Sequence, residues 1–356
     1  MSNPHTAPRT LITGGFGFLA TWVAAGLIRS GHRVVLVDDR DPEGTPAWLS
    51  GLLHESAVET GRADVTERGS LDRFGEVDHV IHAAALLGVA KVRNAPRETL
   101  RVNIDGTAVA LDYAVRNPRL RRFLLLSTSE VYGSDAKGAQ ENEWLSVRAD
   151  DPRWSYAVSK VTAESMTAAR GTEDGLPFAI VRPFNVYGPL RTGTYAVGAL
   201  AAQAVAGKPV TVHGDGTQSR AWCHAEDFAA GLIGALLTPA AAGEAFNVGD
   251  DTNDTTVAEL ARLTAELSGT GAPIEHVPHT GPDIRSRRPD LTKARTLLGY
   301  RPSRDFVSGL RETVEWVRAG SGEMPLRLQR TDWPQSGATG TSMTAAADDT
   351  AGAARP

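Results

Sequence analysis

RTLITGGFGFLATWVAAGLIRSGHRVVLVD, residues Arg9–Asp38, reads as strand, glycine turn, helix and second strand. Arg9–Thr13 is a short apolar run that ends in Gly14-Gly15-Phe16-Gly17. From Phe18 to Ser30 the spacing is helical, and Gly31 predicts its C-terminal stop. Arg33–Asp39 is a Val/Leu run without alternation, as in a strand buried on both faces of a parallel sheet. Similar runs follow at His79–Ala85, Arg122–Ser129 and Pro177–Pro183, with helix-like stretches at Thr99–Val115 and Ser155–Ala169 between them. Strands alternating with helices predict an α/β fold built on a doubly wound parallel sheet.

The glycines permit a tight turn and a close backbone approach to a pyrophosphate, which then sits on the positive end of the following helix. Asp38 lies 21 positions beyond Gly17, near the ~20 expected for an acid that holds the adenosine ribose. A carboxylate there accepts from the ribose hydroxyls and repels a 2′-phosphate, so NAD is expected over NADP. Asp39 is the alternative partner if the register differs by one. Ala20 stands where a third, close-packing glycine often falls.

Past residue 183 the texture changes to short apolar pieces, Val210–His213 and Phe246–Gly249, among Gly, Pro and Asp turns. Amphipathic helices are expected at Ala225–Leu237, Val257–Leu267 and Val307–Val317. The expected division is a nucleotide-binding domain over 1–183 with short later returns, and a smaller discontinuous lobe mainly over 184–330. Residues 334–356 are too poor in bulky side chains to offset ordering entropy and read as a disordered tail. The 356 residues carry 37 Lys+Arg against 42 Asp+Glu, net -5, which leaves no basic footprint for nucleic acid or an anionic membrane surface. A single cysteine, Cys223, excludes an internal disulfide framework and a multi-cysteine metal site. His224 and Glu226 beside it make no ligand set, so no metal is expected. With no apolar leader or membrane-length run, the chain reads as cytoplasmic.

Tyr156-Ala-Val-Ser-Lys160 places a phenol and an ammonium at i and i+4 on one helix face. A nearby cation favours phenolate, which makes a general base. Ser127-Thr128-Ser129 closes the preceding strand with hydroxyls. With these pieces in place the chain resembles the extended short-chain dehydrogenase/reductase family, whose members modify nucleotide sugars on a Rossmann sheet. The matching pieces, in family order, are TGGFGF, VDD, ADV at Ala63–Val65, HAAA at His82–Ala85, NIDGT at Asn103–Thr107, STSEVYG at Ser127–Gly133 and YAVSK. RPFNVYGP at Arg182–Pro189, GDGTQSRAWCHAEDF at Gly214–Phe228 and RPDLTKAR at Arg288–Arg295 complete them, covering about residues 9 to 318.

The resemblance implies roles residue by residue. Gly14, Gly17, Phe18, Leu19, Asp38 and Asn103 fall among the NAD contacts. Asp64 and Val65 fall where the family meets adenine, and Ala83 lies beside the pyrophosphate and ribose. Thr128 matches the residue that bonds the oxidised sugar hydroxyl, Tyr156 its base, and Lys160 the nicotinamide-ribose ligand that lowers the phenol pKa. Phe184 and Asn185 sit where the family contacts nicotinamide and substrate, and Arg220 matches the arginine that clamps the nucleotide diphosphate. In this chemistry Tyr156 takes the 4-hydroxyl proton as the C4 hydride leaves, which yields a 4-keto sugar and no net redox change once the hydride returns.

Glu130 discriminates among reactions. Thr128-Ser129-Glu130 is similar to UDP-glucuronate decarboxylases and also to GDP-mannose 4,6-dehydratases, while 4-epimerases usually carry a small or hydroxylic residue at that position. Arg287 or Arg288 before Pro289-Asp290 is similar to a basic run of the decarboxylases. The loop Leu86–Ala95 does not resemble theirs, and Lys91 or Arg93 is the cation it offers. Decarboxylation of a UDP-glucuronate-type sugar is the first expectation, then 4-epimerisation, then 4,6-dehydration. A non-catalytic NAD-binding sensor is the competing class, disfavoured because Tyr156 and Lys160 are both present. Family analogy also implies a homodimer through Thr99–Val115 and Ser155–Ala169.

Overall fold

The computed structural model describes residues 7–42, 47–190, 195–278 and 286–321; the stretch 334–356 lies outside them. The chain begins β1 (Arg9–Thr13), α1 (Phe18–Arg29), β2 (Arg33–Asp38), α2 (Ala47–Leu53), β3 (Val58–Arg62) and β4 (His79–His82). It continues α3 (Val89–Asn94), α4 (Pro96–Val115), β5 (Arg122–Leu126), β6 (Asp135–Ala139), α5 (Ser155–Glu173), β7 (Phe178–Pro183) and β8 (Val186–Tyr187). Then come α6 (Ala196–Val205), β9 (Val210–His213), β10 (Ser219–Arg220), β11 (Cys223–His224), α7 (Ala225–Leu237) and β12 (Glu244–Val248). The described part closes with β13 (Thr255–Thr256), α8 (Val257–Ser268), β14 (Ile274–Val277), β15 (Ser286–Pro289), α9 (Thr292–Leu298) and α10 (Phe306–Arg318).

Seven strands form one sheet in the order β12-β7-β5-β4-β1-β2-β3, every neighbouring pair parallel. The unalternating runs are explained by what covers the two faces. Leu11, Val35, Val37, Phe123 and Leu125 pack on one side with Val109, Ala110 and Tyr113 of α4. Their sequence neighbours Ile12, Val34, Leu36, Leu124 and Leu126 pack on the other with Val23 and Leu27 of α1 and Leu232 and Leu236 of α7. Successive side chains point to opposite faces, so a strand covered on both must be apolar throughout.

Strands end earlier than the apolar runs. β4 stops at His82. β5 stops at Leu126, beyond which Thr128 turns the chain: its Oγ1 accepts from the Glu130 amide at 3.1 Å and caps a 3-10 turn over Ser129–Tyr132. Pro96 opens α4 three residues before the expected start, as its fixed φ suits the first helical position. β3, VETGR, is an edge strand with little apolar character and carried no expectation.

Residue 183 is crossed in both directions. β12 and α7, from beyond it, join the large sheet and its covering layer. β6, from before it, pairs with β15 in a small four-stranded sheet ordered β13-β10-β15-β6. A separate core in the second lobe gathers Leu200 of α6, Val212 of β9, Leu260 of α8 and Leu310 of α10. Among the described residues no helix is long and apolar enough to cross a membrane.

Beneath the strand ends lies a buried ionic network. Arg182 on β7 donates Nη2 to Glu164 Oε2 of α5 at 2.6 Å and Nε to Oε1 at 3.0 Å. Ser127 donates to the same carboxylate. Arg182 Nη1 donates to the Tyr132 hydroxyl at 2.7 Å, which in turn donates to Asn247 Oδ1 on β12. Removing one member of a buried pair strands the other, so Glu164→Ala should cost about 3–5 kcal/mol in urea unfolding. Glu164→Leu/Arg182→Met should stand closer to wild type than the single variant; a double variant that is the weaker of the two would refute pairing as the source of the cost.

Candidate functional site

Gly14 has φ 65° and a Cβ there would lie 2.8 Å from the Ala84 Cα; a Cβ on Gly15 would meet the Leu36 Cα at the same distance. The turn therefore runs hard against β2 and the end of β4, as only glycine allows. Gly15 is buried, while Gly14, Gly17, Phe18 and Leu19 keep accessible surface on the open side. α1 starts at Phe18 with no side chain capping it. This is a cradle shaped for a pyrophosphate over a helix N-terminus. Thr13 fixes the neighbouring strand end: its Oγ1 lies 2.8 Å from His82 Nδ1 and accepts from the Ala84 amide.

Asp38 ends β2 almost fully buried, and its carboxylate accepts from the Phe16 amide at 3.0 Å. Burial works against its charge, but bonds from Arg40 and Phe16 outweigh that and leave its pKa below the usual range. Asp39 is shifted the opposite way by burial and by the adjacent Asp38. Beside them a cavity of about 670 Å³ is lined by Asp39, Arg62, Ala63, Asp64, Glu67 and Arg73. Its position beyond β2 and β3 suits an adenosine end, with Asp64 exposed and Val65 buried behind it. The cradle and its acid thus fit a dinucleotide.

Asn103 ties the loop after β4 to α5. It is buried; Oδ1 accepts from the Leu86 amide at 2.7 Å and Nδ2 donates to Leu86 O and Ser159 Oγ. Phe184 likewise has no accessible surface, its ring packed with Tyr132, Val131 and Ala136. The Phe184 ring thus belongs to the packed core just beyond the end of β7. Ala83 keeps accessible surface at the end of β4.

Tyr156 and Lys160 stand one turn apart at the start of α5. Asp151 caps the preceding 3-10 turn by accepting from the Arg153 amide, with Pro152 at its first position, and this sets where α5 begins. Lys160 Nζ lies 6.0 Å from the Tyr156 ring centroid and donates to Leu126 O at 2.7 Å. Burial pushes its pKa down to about 8, with Glu164 opposing, so it remains cationic at neutral pH. His82, fully buried between Thr13 and Thr107, is pushed down to about 3 by burial and by Lys160 and stays neutral. Thr128 stands two residues beyond the end of β5, capping the 3-10 turn over Ser129–Tyr132.

Glu130 faces two guanidiniums. Arg153 Nη1 lies 3.1 Å from its Oε2, and Arg287 Nη1 lies 3.8 Å from its Oε1. Arg287 is 7% exposed, and among the described residues its Nε has no hydrogen-bond partner. Burial pushes its pKa below the ordinary value, with Glu130 opposing; Tyr156 is close enough to contribute. Of the two arginines Arg287 is the one near Glu130: on β15 they point to opposite faces, and Arg288 donates to Asp251 O instead. Arg220 pairs with Arg287 in register across β10 and β15, half-buried, with Nη1 donating to Ser219 O. Asn185, at φ 39°, ties these strands by donating Nδ2 to Ala221 O and Arg287 O. Lys91 and Arg93 are exposed on α3. Arg153 had no place in the sequence reading; its position three residues before Tyr156 was its one available signal.

Cys223 is buried, its thiol raised well above the ordinary value by burial and nearby Asp227. Among the described residues no group of three His, Cys, Asp or Glu is placed to hold a metal.

A model of the NAD dependent epimerase/dehydratase family matches residues 10–249. The chain is 31% identical over 326 residues to the UDP-N-acetyl-alpha-D-glucosaminuronate decarboxylase of Bacillus cytotoxicus, covering 87% of this chain and 98% of that protein. It is 34% identical over 314 residues to UDP-glucuronic acid decarboxylase 1 of Arabidopsis thaliana, covering 87% and 70%. Among solved structures, UDP-glucuronic acid 4-epimerase from Bacillus cereus, in complex with UDP-glucuronic acid and NAD, superposes with TM-score 0.78 at 26% identity, covering 87% and 99%.

The depressed Lys160 pKa has a stability consequence. Between about pH 8 and 10.5 the unfolded chain binds more protons at this site than the folded one, so stability from this residue rises with pH across that window. Thermal unfolding should show wild type gaining on Lys160→Met from pH 8 to about pH 10; parallel curves would count against a desolvated ammonium.

Proposed function

The chain belongs to the NAD-dependent epimerase/dehydratase family, and from that premise we propose that it decarboxylates a nucleotide-diphosphate uronic acid, of UDP-glucuronate type, through a 4-keto intermediate. NAD is its cofactor. In this reading Gly14, Gly17, Phe18, Leu19 and Asp38 hold it, with Asp64, Val65 and Ala83 alongside. When bound it supplies a reversible two-electron acceptor for the sugar C4–H bond.

The observation that carries the reading is the charge beside Tyr156. Two buried arginines face one carboxylate, so Arg153, Arg287 and Glu130 leave one surplus positive charge, and among the described residues Arg287 Nε has no hydrogen-bond partner. A buried cation short of acceptors suits an anionic group, and a carboxylate on the sugar ring is such a group. Tyr156 takes the 4-hydroxyl proton while Thr128 bonds the same oxygen. Lys160 holds positive charge against the phenol. With C4 oxidised, the C6 carboxylate belongs to a β-keto acid. The C5–C6 bond breaks, carbon dioxide leaves, and the electron pair enters the C4–C5 enolate. A proton then adds at C5, and C4 is reduced with Tyr156 returning the proton to its oxygen. Arg220 binds the diphosphate and Asn185 the substrate at the mouth of a lobe drawn mainly from 184–330.

The same cationic pocket also supports a second reading, 4-epimerisation of that uronic acid with the carboxylate retained. A homodimer through α4 and α5 and a cytoplasmic location complete the proposal by family analogy.

Incubation with UDP-glucuronate, UDP-N-acetylglucosaminuronate, UDP-glucose, dTDP-glucose and GDP-mannose plus NAD, read by mass spectrometry, separates the reactions. Loss of carbon dioxide from a uronate is expected; an isobaric product names the epimerase, and loss of water from a neutral sugar overturns the carboxylate pocket. Tyr156→Phe should reduce turnover by roughly a thousandfold or more with NADH binding intact. Arg287→Met should raise KM for the uronate by about tenfold or more. Equal uronate KM in wild type and the Arg287 variant would remove Arg287 from the site.

A further inference from the structure

Asp38 is the acid expected to receive the ribose hydroxyls, yet four donors of this chain already occupy its carboxylate. Arg40 Nε donates to Oδ1 at 2.7 Å and Nη2 to Oδ2 at 3.0 Å; the Arg40 amide reaches Oδ1 at 3.3 Å and the Phe16 amide Oδ2 at 3.0 Å. A carboxylate offers about four lone-pair sites. A ribose diol therefore reaches Asp38 only by displacing a donor. The amides are held by the turn, so the displaceable partner is the Arg40 side chain. It is 53% exposed where Asp38 is 5% exposed, and it lies 6.0 Å above the Phe16 ring at the rim of the site.

The adenosine end carries Asp38, Asp39, Asp64 and Glu67 against Arg40, Arg62 and Arg73, so its acids already outnumber its cations. Arg62 spends its Nε on Asp39 O, which leaves Arg40 as the guanidinium bound directly to the ribose acid. A bare carboxylate at this position repels a 2′-phosphate, whereas a nearby arginine accommodates one. Here both stand on one strand end, two residues apart.

We propose that Arg40 sets the dinucleotide selectivity of this chain. Its guanidinium competes with the ribose hydroxyls of NAD for Asp38, and it turns to meet the 2′-phosphate of NADP. NAD remains the cofactor, held less tightly than Asp38 alone would hold it, while the discrimination against NADP is blunted. The inference rests on the family's dinucleotide site and not on which sugar reaction follows.

Equilibrium titration of the full chain with NADH and NADPH, followed by nicotinamide fluorescence, tests it without turnover. Arg40→Ala should tighten NADH and weaken NADPH, raising the ratio of their dissociation constants on the order of tenfold or more. Arg40→Gln should move the ratio in the same direction. Arg62→Ala should leave it within about twofold. A ratio unchanged in both Arg40 variants would overturn the proposal. So would an equal shift in Arg62→Ala, which would mean that general positive potential sets selectivity and not the pair with Asp38. If no form binds either dinucleotide, the site assignment itself fails, and that outcome is distinct from a failure of selectivity.

Discussion

Glu164 and Arg182 are buried together beneath the middle of α5, and the geometry of the candidate site depends on that pair. Neither ion is stable in this interior alone, since the desolvation of each is offset by the other, by Ser127 on Glu164, and by the Tyr132 hydroxyl and the Glu141 carbonyl on Arg182. The network joins α5 to the ends of β5, β7 and β12, the last of which comes from far along the chain. Lys160 lies one turn before Glu164 on α5 and donates to the end of β5. Fixing Glu164 therefore fixes the rotation of α5, and with it the side of the sheet on which Tyr156 stands.

A sheet apolar on both faces leaves its polar work to the strand ends, where each buried group needs a partner. Thr13 and Thr107 satisfy His82, which stays neutral, so the cation beside Tyr156 is Lys160. Asn103 satisfies the Leu86 backbone and Asn185 the carbonyls of Ala221 and Arg287. The side-chain amide of Asn103 and the Nδ2 of Asn185 are thus bonded within the protein, where they hold neighbouring loops in place.

Net charge of -5 coexists with sites suited to anions because the positive charge is local. Arg153 and Arg287 bracket Glu130, and Arg40 brackets Asp38. The two arrangements differ in exposure. Glu130 and its arginines are enclosed, which favours a carboxylate that enters and displaces water. The Asp38 pair is open on the arginine side, which favours exchange with an incoming ligand.

The amino-acid order by itself determined the sheet, the glycine cradle, the Tyr156–Lys160 spacing and the helix Ala225–Leu237, whose limits agree with the structure. These are local: apolar runs, positive-φ turns and i, i+4 spacing are written in neighbouring residues. Strand ends were less legible, because Thr128 stops β5 through a hydrogen bond and not through a change in hydrophobicity. Only the tertiary structure decided that Phe184 belongs to the packed core just beyond the end of β7, that Arg287 and not Arg288 turns toward Glu130, and that Arg153 joins them. It alone showed Arg40 on the carboxylate of Asp38. Each of those facts depends on which face of an element meets which partner. For Arg287 and Glu130 the partners are 157 positions apart in the sequence, a separation that no local pattern encodes.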